Sequence, residues 1–138
     1  MEITVEAVVN APVADVWKAW NDPEDIKQWN AASDDWHTTR SSVDLREGGR
    51  FSSRMEAREG GEGFDFEGVY TKVVPHERIE YRMTDGRNVK VEFTPVSGGT
   101  SVKETFEAES ENDPEVQRQG WLMILNRFAH HVEAKAIR

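Results

Sequence analysis

The sequence predicts an α+β fold in which one early strand and two short helices lead into an antiparallel meander and a long C-terminal helix. Three observations predict it. Residues 41–106 alternate apolar and polar positions between glycine-rich turns, the period of half-buried strands joined as hairpins. Two Asp-Pro pairs, Asp22-Pro23 and Asp113-Pro114, have the form of a capping residue followed by proline in the first helical turn. Residues 114–135 repeat apolar side chains at helical spacing.

Ile3, Val5, Ala7 and Val9 alternate with their neighbours and form the first strand. Asn10-Ala11-Pro12 breaks it, and Val13, Val16, Trp17 and Trp20 then share one helical face. A second short helix starts at Asp22-Pro23 and ends near Trp29. Asn30 to Thr39 shows no period and reads as a loop. Gly48-Gly49 separates Val43-Asp44-Leu45 from the strand Phe51 to Met55, and Gly60-Gly61-Glu62-Gly63 is a turn before Phe64 to Tyr70. Ile79 to Met83, the hairpin signal Asp85-Gly86, Val89 to Phe93, Ser97-Gly98-Gly99 and Val102 to Phe106 complete the meander. On the last helix, Trp121, Ile124, Leu125, Phe128, Val132 and Ala136 fall on one face. Residues 1–138 read as a single domain, with no repeat or linker.

The 138 residues carry a formal charge of -9, which opposes phosphate backbones and anionic membrane surfaces, so nucleic-acid binding is not expected. No apolar run is long enough for a membrane helix, and the first residues lack the basic-then-apolar pattern of a secretory signal. There is no cysteine, which removes disulfides, thiolate nucleophiles and Cys-bound metals. Together these point to a cytoplasmic protein without membrane insertion.

Several motifs recur in an order that resembles a known family. They are Ala11-Pro12 through Val16-Trp17, Trp29-Asn30-Ala31 with Asp35-Trp36-His37, and Asp44 through Phe51. Phe66 through Tyr70 with Pro75 to Ile79, Asp85-Gly86-Arg87, and Gln119-Gly120-Trp121 through Leu125 continue the series. The chain resembles the START-like, or SRPBCC, superfamily, and within it the proteins grouped with the activator of the 90-kDa heat-shock-protein ATPase. That resemblance implies a helix-grip fold, a curved antiparallel sheet wrapped around the C-terminal helix with a cavity between them. Superfamily members bind or process lipids, sterols, polyketides and other apolar molecules. The chaperone activators carry a separate N-terminal docking domain, whereas this sequence starts at its first strand, so a stimulatory co-chaperone role is not expected.

Inward positions of the strands supply the candidate binding residues. Phe51, Ser53 and Met55 share one face, Phe64, Phe66 and Tyr70 another, and Tyr81, Met83 and Phe93 follow the same alternation. They form either plain core or the wall of a pocket, which is mostly apolar with few polar anchors. Trp121 and Leu125 face them from the last helix, and the two methionines suit an adaptable wall. Glu104 lies between Val102 and Phe106 on the same face. Buried there, it would be a ligand anchor or an acid/base group, unless a register shift turns it outward or an arginine such as Arg54 pairs with it. Trp36 and His37 stand where a cavity mouth is expected, His37 also reading as a surface histidine.

His130 and His131 are adjacent on a helix and diverge by about 100°, so they do not chelate. The glycine-rich turn at 60–63 lacks the lysine and helix of a phosphate loop, and the serines lack a nucleophile elbow. No cofactor and no metal are expected. The expected partner is a small hydrophobic molecule, with a homodimer and a chaperone as further candidates. Three functions stay open: a ligand-binding module linked to stress response, a cofactor-independent cyclase or hydrolase using Glu104, His37 or a tyrosine, and a chaperone-associated interaction module.

Overall fold

The computed structural model describes residues 1–136. Alternation in β1 (Glu2–Val9) buries Ile3, Val5 and Val9. Pro12 then turns the chain into α1 (Val13–Asn21), which buries Val16, Trp17 and Ala19. The predicted cap of α2 (Pro23–Trp29) is present, with the Asp22 carboxylate accepting from Glu24 N at 2.8 Å. Six strands follow: β2 (Trp36–Val43), β3 (Arg50–Ala57), β4 (Gly63–Val74), β5 (Arg78–Met83), β6 (Asn88–Val96) and β7 (Gly99–Glu107). The chain ends in α3 (Pro114–Ala136), where Asp113 caps Glu115 N at 2.8 Å.

The seven strands form one antiparallel sheet in the order β1-β7-β6-β5-β4-β3-β2. All neighbours but one are consecutive hairpins. The exception is β1, which pairs with the last strand and places Ile3 opposite Phe106 and Val5 opposite Glu104. α3, about 35 Å long at 1.5 Å per residue, lies across the concave face and packs most extensively on β1. The α1–α2 pair closes one end, α2 resting on β2. This is the helix-grip arrangement that the resemblance implied.

Leu125, Phe128 and Val132 turn into the core, as the helical face predicts, and Ala129 joins them. Ala136 was placed on that face too, but its side chain lies outside what is described. Phe128 meets Trp20 and Trp29 edge-on, at 4.8 and 4.9 Å between ring centres. Trp29 is anchored by its indole N–H donating to Ala19 O at 3.0 Å.

One segment departs from expectation. The loop read over Asn30 to Thr39 is a strand from Trp36 onward, while Asp44 and Leu45 fall outside it. Its sequence hides the period because the inward residue, Thr38, is polar. Thr38 is buried because its hydroxyl donates to Asn30 O at 2.7 Å and lies 3.1 Å from the Met55 sulfur. Among the described residues no helix is long and apolar enough to cross a membrane.

Candidate functional site

Between the sheet and α3 lies a cavity of about 320 Å³. Its floor is the concave face of β3, β4 and β5. Phe51, Ser53 and Met55 line it from β3, and Phe64, Phe66 and Tyr70 from β4. Ile79, Tyr81 and Met83 line it from β5, Glu104 from β7, and Trp121 and Ile124 from α3. α1 and α2 close one end with Trp20, Asn21, Ile26 and Trp29. Phe64 is half exposed and Trp121 and Ile124 are partly so, which puts the opening between the start of β4 and the first half of α3.

The floor is aromatic and tightly coupled. The Phe51 ring centre lies 4.8 Å from Tyr81, 5.3 Å from Tyr70 and 5.6 Å from Phe66. Gly68, paired with Phe51 across the strands, makes room for that ring, since a Cβ there would sit 2.8 Å from it. Trp121 stacks flat on Phe106 at 4.0 Å, turning one face of its indole toward the cavity wall.

Glu104 is buried where alternation predicted it, at 5% exposure. Its neighbours on the concave face are Val102 and Phe106 along β7, Val5 on β1 and Val91 on β6. Burial alone pushes its carboxyl up to about 8. Among the described residues no cation pairs with it. Arg54, the alternative partner, points to the convex face, where it holds Glu56 and Asp65 at 3.2 and 3.4 Å. Burial also raises the Tyr81 hydroxyl well above its usual range, with the Glu104 charge adding to the effect. Tyr70 is raised by burial and then by Asp44. Arg87 reaches the cavity wall, but its guanidinium is engaged by Asp85 at 2.8 Å and by Glu107 O at 3.0 Å.

Of the thirteen residues read as candidates, the cavity gathers Phe51, Ser53, Met55, Phe64, Phe66, Tyr81, Met83, Glu104 and Trp121. Four do not line it. His37 pairs with Glu56 across β2 and β3, and the inward turn of Thr38 sends it to the other face. Trp36 stands beside the opening, its ring 5.7 Å from Phe64. Phe93 is on the concave face but under α1, against Trp17 at 5.3 Å. Leu125 is fully buried in the core, and its neighbour Ile124 takes the wall instead.

The sequence profile of the family described as activator of Hsp90 ATPase homolog 1-like protein matches residues 10–133. The chain belongs to this family. Among structures of similar proteins, the solution NMR structure of an AHSA1-like protein from Aeromonas hydrophila has a TM-score of 0.94 at 48% identity, covering 100% of this chain and 96% of that one. A protein from Cytophaga hutchinsonii has a TM-score of 0.84 at 41% identity, covering 99% and 95%. One from Chromobacterium violaceum has a TM-score of 0.86 at 27% identity, covering 96% and 98%. No curated protein matches the chain.

In this activator-homolog-like chain, several wall residues lay outside the candidate set. Trp20 was visible on an apolar helix face and Tyr70 and Ile124 as members of inward faces, whereas Ile26 and Trp29 lie on a helix of seven residues, too short to show a period. Asn21 and Asn30 carried no such signal. They end α1 and follow α2, where their amides reach Trp17 O at 2.9 Å and the Met55 sulfur at 3.5 Å. Among the described residues no group of three or more His, Asp or Glu is placed to hold a metal.

Proposed function

We propose that the protein binds a small, largely apolar molecule in the cavity beneath α3. The observation that carries this is the cavity itself, about 320 Å³ of space walled by eight aromatic side chains and one buried carboxyl. A core built only for stability packs at crystal density and leaves few such voids. A dry cavity of about 150 Å³ takes a benzene ring, so this one has room for about a dozen non-hydrogen atoms. That volume lies within the range of small-molecule sites.

Titration with naphthalene, followed through the fluorescence of Trp20, Trp29 and Trp121, tests the reading. A saturable one-to-one site in the folded protein is expected, and Ser53→Phe, which fills the floor, should abolish it. Binding that never saturates, or that Ser53→Phe leaves unchanged, would sink the proposal.

One observation favours a second reading, a cofactor-independent acid/base enzyme. Glu104 and Tyr81 open onto one cavity, and burial keeps the Glu104 carboxyl protonated at pH 7, as a general acid requires. Conversion of a bound compound, lost in Glu104→Gln while binding persists, would establish it. The family's description also brings an Hsp90 ATPase into view as a partner. That role requires a docking surface and not a cavity, and it is tested by ATPase stimulation rather than by ligand binding.

A further inference from the structure

We infer that the cavity selects an amphipathic amine, whose ammonium group sits on the Glu104 carboxylate and whose apolar body lies among the rings of the floor. The inference rests on the ligand-binding reading above and adds the chemical class of the ligand. It starts from a mismatch inside the protein. A carboxyl whose neighbours on the sheet are Val5, Val91, Val102 and Phe106 is 5% exposed, opens onto the cavity and has no hydrogen-bond or ion-pair partner among the described residues. A buried polar group left so is costly, and a ligand group that completes it recovers that cost.

The rings decide which group. Phe51, Phe66, Tyr70 and Tyr81 crowd together on the floor, with Phe51 at the centre. An aromatic face carries negative electrostatic potential and attracts a cation, most strongly where water is excluded. A neutral hydroxyl or carbonyl could hydrogen-bond to Glu104 but would gain nothing from those faces. An ammonium ion makes a charge-assisted bond to Glu104 that neither of those makes, and Tyr81, whose hydroxyl feels the Glu104 charge, borders the same cavity. The protein's charge of -9 also raises the local concentration of cations around it.

The other titratable or charged groups facing the cavity are few. Tyr70 on β4 and Tyr81 on β5 stay neutral, and Arg87, after β5, is already held by Asp85 and Glu107. Val5 on β1 and Val91 on β6 flank Glu104 on the sheet, and α3 contributes Trp121 and Ile124 to the wall, none of which titrates. The proton balance follows. An ammonium ion entering the empty, protonated site releases the Glu104 proton to solvent and leaves an ammonium–carboxylate pair. A free-base amine takes that proton directly and forms the same pair.

Calorimetric titration with naphthylethylamine and its neutral counterpart naphthylethanol tests the assignment, from about pH 6 to about pH 9. The amine should bind wild type at least about tenfold more tightly than the alcohol, as a charge-assisted bond confers. Its affinity should rise with pH below the Glu104 titration, by up to about tenfold per unit, while that of the alcohol does not rise. Glu104→Gln should cost the amine about tenfold and the alcohol less than about twofold. If the alcohol binds as well as the amine, or the amine weakens as pH rises over this range, the amine assignment falls while the binding reading stands. If neither compound binds a saturable site, both fall. The wild-type pH series needs no variant, so the outcome does not depend on how Glu104→Gln folds.

Discussion

Asp25 on α2 accepts a hydrogen bond from His131 Nε2 on α3 at 2.8 Å, more than one hundred residues away in the chain. Lys135 Nζ donates to the same oxygen at 2.6 Å, so a carboxylate only 3% exposed pins the end of α3 to the short helix that closes the cavity.

Burial opposes the charge on Asp25, but the hydrogen bonds from Lys135 and His131 outweigh it and hold the carboxyl below its ordinary 3.8. The stability it contributes is therefore present above that value and lost as pH falls through the lowered one. Asp25→Asn should cost about 2 kcal/mol at neutral pH, since two donors lose their anion. Urea unfolding curves for the pair should converge in acid. Curves that stay parallel down to about pH 2 would show that the contact does not bear on folding.

Glu104 has the opposite linkage. Its folded value of about 8 lies above the ordinary 4.5, so the folded state holds a proton that the unfolded chain gives up first. The associated stability is present below 4.5 and is lost as pH rises to about 8. Glu104→Gln does not titrate and should gain on wild type across that window, on the order of a few kcal/mol. Denaturant midpoints measured near both ends of the window check this. Equal midpoints at the alkaline end would contradict the buried, unpaired carboxyl.

Phe128→Ala should cost about 3–5 kcal/mol, the usual range for truncating a fully buried aromatic ring. The ring holds Trp20 and Trp29 together, and both tryptophans also face the cavity. A loss below about 1 kcal/mol in urea would mean that this face of α3 does not carry the core.

Gly68→Ala probes the floor. The added methyl would stand 2.8 Å from both Arg82 O and the Phe51 ring. Only the ring can yield, and it would move toward the cavity. A cost of about 1–3 kcal/mol in stability is expected, together with weaker binding of an apolar probe. Unchanged affinity would show that the cavity does not depend on the place of Phe51.

Where local chemistry decides, the fold was readable in advance. Asp22-Pro23 and Asp113-Pro114 announced α2 and α3 because a cap needs only its own next two residues. Alternation alone sent Glu104 inward. β2 was lost because its inward position is Thr38, satisfied by a carbonyl eight residues earlier, so the apolar period never appears. Phe93 and Leu125 were read onto the correct faces but into the wrong neighbourhood. A period of two or of 3.6 assigns a side, not which stretch of a concave sheet lies under α1 and which under open space. Arg87, Asn21 and Asn30 reach the wall through the paths of turns, which periodicity does not describe.

The order of the strands also bears on how the protein is made. β7, which carries Glu104, is flanked by β6, one tight turn away, and by β1, whose Val5 lies at the far end of the chain. Strands β2 to β6 can zip together as hairpins while synthesis continues. The β1–β7 ladder must wait until residues 100–107 have emerged, about a hundred residues after β1, and closing so long a loop is slow. Until then β1 has no partner in the sheet, and α3, which rests mainly on it, has no bed. The nascent chain thus presents the bare aromatic floor to its surroundings until β7 and α3 are in place, and that interval is its period of greatest exposure to aggregation.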